Sequence, residues 1–155
     1  MNTLSKMTIA GLAAILTIGT GALADGHGDP AVKARNSLMA LYGFNIAQLG
    51  AMAKGQVEYD AESAQAAADN MVMLTQLDQS AMWPAGTDSA SVAGSRALPA
   101  VWENFPDVFA KGQALGEAAV VMQAAAGKDL DSLRGAMGDL GSACSACHKA
   151  YRAPK

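Results

Sequence analysis

The sequence predicts an all-α chain folded as an antiparallel four-helix bundle. Three observations carry this. Four segments repeat apolar residues at alternating spacings of three and four, and none shows convincing strand alternation. Two of the three connections are short, which makes their flanking helices antiparallel neighbours. Many of the repeating positions hold small residues, which suits close helix packing.

The first helix opens at Asp29-Pro30, an N-cap with proline in the first turn, and runs to about Lys54-Gly55. Its expected seam is Val32, Arg35, Met39, Tyr42, Ile46, Leu49 and Ala53. The second starts near Asp60, sets Ala64, Ala67, Met71 and Leu74 on one face, and fades around Asp78. From Ser80 to about Asn104 the periodicity stops in a stretch rich in Gly, Pro and Ser, which reads as a long connection holding at most a turn of helix. Pro106 restarts a helix, with Phe105, Val108, Leu115, Ala119 and Met122 on its seam and Gly127 as its stop. The last helix begins near Asp129 and carries Leu130, Leu133, Met137, Leu140, Cys144, Cys147 and Tyr151 on one face. Met52, Met71, Met73, Met122 and Met137 read as core packing.

Residues 1–24 read as a secretory leader. Lys6 gives a positive start, "TIAGLAAILTIG" an apolar stretch, and Ala22-Leu23-Ala24 a cleavage site before Asp25. That stretch is well short of the roughly 20 residues that span a bilayer, and nothing later resembles a span. Residues 25–155 then form one domain with ten basic residues, Lys6 being lost, against fourteen acidic ones, a formal −4. Mild acidity argues against nucleic acid or anionic lipid as a partner.

The chemistry concentrates in "CSACHKAYR", residues 144–152, which holds both cysteines and one of the two histidines. On a helix, Cys144 and Cys147 emerge on the same side and His148 projects one step round. This is the sequence signature of c-type haem attachment, two thioethers with the adjacent imidazole on the iron. Export fits it, because c-type haem is attached outside the cytoplasm, and a disulfide between these cysteines would close too small a loop to add much stability. Three other readings compete. A structural zinc site wants four protein ligands, and only distant His27 could join these three. A haem-free dithiol oxidoreductase using Cys144 and Cys147 would place its thiols at a helix N-terminus in a βαβ context. A helical scaffold would need neither cysteine.

Arg35 is the anomaly of the first seam. A charged residue there needs a partner or a solvent exit, and a haem propionate at the bundle edge would be one, through a charge-assisted pair. Met39 follows one turn later, where it could approach the iron opposite His148.

Further stretches strengthen this reading: "AVKARNSLM", "LGAMAKGQVEYDA", "WPAGTD", "LPAVW" and "DLDSLRGAMGDLGSACSACHKAYR". Together they make the chain resemble the class II c-type cytochromes, most closely cytochrome c′, from Asp25 to Lys155. The resemblance implies a left-handed antiparallel four-helix bundle with a C-terminal covalent haem, in the bacterial periplasm, often a homodimer through its first two helices. It implies Cys144 and Cys147 as covalent haem sites, His148 as axial iron ligand, Arg35 at a propionate, and Met39 in the distal pocket. Arg152 would lie on the proximal side and Trp83 along the haem crevice, although a Trp-Pro before a loop is equally a packing anchor.

The expected function is a mono-haem electron carrier, not a metabolic enzyme, exchanging electrons with redox partner proteins and binding nitric oxide or carbon monoxide at five-coordinate iron. The alternative within the family is a six-coordinate, low-spin carrier in which Met39 ligates the iron. The bulky "ALYG" after Met39 favours the first.

Overall fold

The computed structural model describes residues 28–154, so the leader expected over 1–24, and His27, lie outside the described residues. Among them are helix α1 (Pro30–Ala53), helix α2 (Ala61–Thr75), a 3-10 turn (Ser80–Met82), a short helix α3 (Ala100–Glu103), helix α4 (Phe105–Ala126) and helix α5 (Leu130–Tyr151). The four long helices touch in a ring, α1 on α2, α2 on α4, α4 on α5 and α5 on α1, which is the four-helix bundle.

Local chemistry fixes where these helices begin and end. Asp29 accepts from the N–H groups of Ala31 and Val32, Asp60 from that of Ser63, and Asp129 from that of Ser132, each satisfying donors a helix start leaves open. After α1 the chain turns through Gly55 at φ 68°, with Gly55 N–H on Met52 and Gln56 N–H on Ala51. That is a Schellman closure. Gly127 has another reason to be small, since a Cβ there would stand 2.6 Å from Gln65 Oε1 and 3.2 Å from Gln65 Cβ, where α2 and the end of α4 converge.

The core is built from all four long helices, with Leu49, Met71, Met122, Leu133 and Leu140 fully buried. Ala64, Ala67, Ala68, Ala118, Ala119, Ala126 and Ala136 are also buried and keep the backbones close. Polar links tie the helices. Asp69 accepts from Gln65 and from Gln123 across α2 and α4, Asn70 donates to buried Asn45 across α2 and α1, and Arg134 Nε donates to the Ala53 carbonyl that α1 leaves open.

Three expected core positions are surface. Met73 and Phe105 are exposed, and Met39 is 42% exposed while its neighbour Leu38 is buried. On α1 the buried residues Arg35, Leu38, Tyr42, Asn45, Leu49 and Met52 form a heptad seam stepping by three then four, with Val32 and Gly50 buried beside it. The expected stripe stepped by four then three, through Met39, Ile46 and Ala53. It follows the edge of the true seam, where Ile46 and Ala53 are partly buried. Polar Asn45 hid the register, and it occupies its seam position by donating to the Leu41 carbonyl while accepting from Asn70.

Candidate haem site

Helix α5 delivers the cysteine pair and the histidine near its end. Cys144 and Cys147 are unpaired thiols, partly buried, one turn apart, and His148 is partly buried beside them. Cys144 interacts electrostatically with Tyr42 of α1, and Cys147 with Lys111 and Asp107 of α4. The pair therefore lies where α5 meets both neighbours.

Electrostatics separates the uses these groups could have. Burial pushes both thiols up, so they are protonated at neutral pH, and the C-terminal end of a helix gives a thiolate no help. That disfavours dithiol exchange, which needs a thiolate. Burial, then the charges of Arg152 and Arg96, pushes the His148 imidazole down, which favours the neutral form with a lone pair for a metal. Among the described residues no group of three or more His, Cys, Asp and Glu side chains converges as a metal cage.

Around His148 opens a cleft of about 620 Å³, lined by Arg96, His148, Lys149, Arg152, Ala153 and Pro154. Arg152 caps α5, its N–H on the His148 carbonyl, and its exposed side chain shares this cleft. The crossover between α2 and α4 is fastened here. Ala153 N–H donates to Arg96, Leu98 N–H to Tyr151, and Ala97 forms an antiparallel bridge with Arg152.

Arg35 is buried, and its partners are not anionic. Nη1 donates to the Met82 carbonyl at 2.7 Å and Thr87 Oγ1 at 2.8 Å, and Nη2 to the Thr87 carbonyl at 2.6 Å and Ser95 Oγ at 3.3 Å. Its guanidinium carbon lies 4.9 Å from the Trp83 ring centroid and 5.7 Å from that of Trp102. Trp83 is thus in a packing position within the Arg35 cluster, with Trp102 Nε1 donating to its carbonyl. Met39, on the exposed edge of α1, has a thioether that the core does not use.

A family model described as Cytochrome C′ matches residues 30–152. The chain belongs to the cytochrome c′ family. Cytochrome c-554 of Cereibacter sphaeroides is 45% identical over 121 residues, 78% of this chain and 79% of that one. The solved cytochrome c′ from Rhodobacter spheriodes superposes with a TM-score of 0.79 at 36% identity, covering 81% of this chain and 96% of that one. A nitric oxide complex of a mutant cytochrome c prime from Alcaligenes xylosoxidans gives 0.70 at 36% identity, with 81% and 94% covered. The cytochrome c′ relatives carry covalently attached c-type haem.

The residues present fit that group. Two free thiols a turn apart, an imidazole beside them that burial pushes toward its neutral form, and a basic cleft around that imidazole suit a c-type haem. Arg96, Trp102 and the Thr87–Ser95 pair were not singled out from the sequence. They lie in or just after the aperiodic link, where no spacing marks them, and only Trp102 carried a signal, as one of two tryptophans.

Proposed function

We propose that this cytochrome c′ family member is exported to the periplasm after loss of residues 1–24 and works as a mono-haem electron carrier and gas-binding protein, not as a metabolic enzyme. Cys144 and Cys147 would hold haem covalently, His148 would ligate the iron, Met39 would stand on the distal side and Arg152 on the proximal side. Haem iron supplies one-electron exchange and a coordination position for a diatomic gas. The chain supplies the tether, the neutral imidazole and the surrounding charge. The observation that carries the reading is the pair of unpaired, partly buried thiols one turn apart beside a partly buried imidazole.

Five-coordinate iron open to nitric oxide and carbon monoxide is the preferred state, supported by the nitric oxide complex of a relative and by the bulky residues after Met39. The second reading, ligation by Met39, is favoured by one observation, the exposure of a thioether that packs in no core. Visible spectra of the holoprotein, oxidised and dithionite-reduced, with and without carbon monoxide, decide between them. A broad reduced spectrum that shifts with the gas supports the open position. Sharp, split bands indifferent to the gas make Met39 the sixth ligand.

Homodimerisation through the first two helices is part of the proposal. Its support is the exposure of Leu41 and Phe44 on α1 and of Met73 and Leu77 on and just after α2. Redox partners would be other proteins, and no helix among the described residues is long and apolar enough to cross a membrane.

A further inference from the structure

Arg35 and Arg96 both engage the crossover, and their donors are used differently. Arg35 has both terminal nitrogens doubly engaged by neutral oxygens. Arg96 donates Nη2 to the Ala153 carbonyl at 2.6 Å, and its Nε is buried with no hydrogen-bond partner. Among the described residues it is the one buried side-chain nitrogen or oxygen in that state. A buried guanidinium N–H without an acceptor is costly, and folded proteins leave few.

The cleft that Arg96 lines is basic. Arg96 shares its cleft with His148, Lys149 and Arg152, and no acidic side chain lines it. Its backbone is held in place, because Ala153 N–H donates to the Arg96 carbonyl at 2.8 Å and Ala97 bridges Arg152. A carboxylate matches one edge of a guanidinium in a two-point, charge-assisted pair. We propose that Arg96 anchors a carboxylate of the haem held at Cys144, Cys147 and His148, the role the sequence suggested for Arg35. This assignment rests on the haem reading above. Arg35 instead shapes the crossover from which Arg96 projects.

The test uses holoprotein matured with c-type haem, as wild type, Arg96→Gln, Arg96→Lys and Arg35→Gln. Purified protein carries no docked partner, so the haem carboxylates are read directly, by the propionate bending band in resonance Raman spectra and by the midpoint potential against pH. A neighbouring guanidinium holds a carboxylic acid's pKa down, and ionising that acid favours ferric iron and lowers the potential. Arg96→Gln therefore moves the pH step of the potential upward by about one unit or more and shifts the Raman band. Arg96→Lys returns the step most of the way while leaving the band shifted, because an ammonium keeps the charge and loses the two-point geometry. A step and band unchanged in both Arg96 variants, or moved only by Arg35→Gln, overturn the assignment. If Arg96→Gln retains no haem, the Raman band of Arg96→Lys decides, a shift supporting the assignment and an unchanged band overturning it. A colourless wild-type chain would sink the haem reading itself, whereas a red one indifferent to Arg96 sinks only this inference.

Discussion

The Tyr151 hydroxyl donates to Asp107 Oδ2 at 2.6 Å, fastening the last residue of the helix that carries Cys144, Cys147 and His148 to the first turn of α4. Lys111, one turn further along α4, pairs with the same carboxylate oxygen at 3.4 Å. The bond from Tyr151 is the main cause holding the Asp107 carboxyl below the usual carboxylate range, and Asp107 in turn pushes the Tyr151 phenol up. The two shifts have opposite consequences for stability. A carboxyl with a lowered folded pKa stabilises above its unfolded pKa, and the effect is lost as pH falls through the folded value. A phenol with a raised folded pKa stabilises below its unfolded value, and that is lost as pH rises through the folded one. Tyr151→Phe is thus predicted to weaken the holoprotein across the neutral plateau, by an amount that shrinks at both the acid and the alkaline end. Urea midpoints measured from acid to alkaline pH check this, and a difference from wild type that stays constant across the range contradicts it.

Arg35 gives a second prediction. Arg35→Met takes their donor from the Met82 carbonyl and from the Thr87 and Ser95 hydroxyls, and leaves the Thr87 carbonyl with the Ser95 hydroxyl alone, a loss of about 1–3 kcal/mol. Arg35→Lys recovers little, because one ammonium cannot reproduce the planar fork that lies against Trp83 and Trp102. Denaturant unfolding of both variants measures the loss, and proteolysis across residues 76–99 should rise with it.

Gly55 provides a backbone test. Its φ of 68° lies in the left-handed region, so Gly55→Ala should cost about 1–2 kcal/mol while leaving the spectrum intact. Gly127→Ala acts through space instead, by pushing Gln65 off its bonds to Asp69 and the Gln123 carbonyl. Restoring room with Gln65→Ala should relieve the steric part of that second cost and none of the first.

In the core, Leu140→Ala empties a fully buried position one turn before Cys144, and about 2–5 kcal/mol of stability should go with it. The same change at exposed Met73 should lie within about 0.5 kcal/mol of wild type. A large loss at Met73 in monomeric protein would show that the seam is misdrawn.

The sequence marked helix starts well because Asp29, Asp60 and Asp129 cap by local chemistry that needs no tertiary partner. It marked the stop at Gly55 for the same reason, the left-handed turn being local, whereas Gly127 ends its helix at an ordinary φ of −90° and is small because Gln65 of α2 packs against it. Seam register was harder, since Met39 and Leu38 are both apolar, and what chooses between them is the packing of α1 against its neighbours, which takes Leu38 into the core and leaves Met39 outside it. A polar side chain at Asn45 obscured the pattern further, its burial depending on Asn70 from another helix. The cysteine and histidine cluster was fully legible, being contiguous. The cleft around it was not, because Arg96 arrives from a crossover without periodicity and is held there by single backbone bonds to the chain after His148.

The central claim is that Cys144 and Cys147 carry haem covalently, and the most direct measurement is the mass of one tryptic peptide. Cleavage after Arg134 and Lys149 releases residues 135–149 with both cysteines and His148. From protein made in a host that matures c-type haem, that peptide should be red and heavier by one haem, with neither thiol free to alkylate. A colourless peptide of unmodified mass, with two alkylatable thiols or a disulfide between them, would contradict the account.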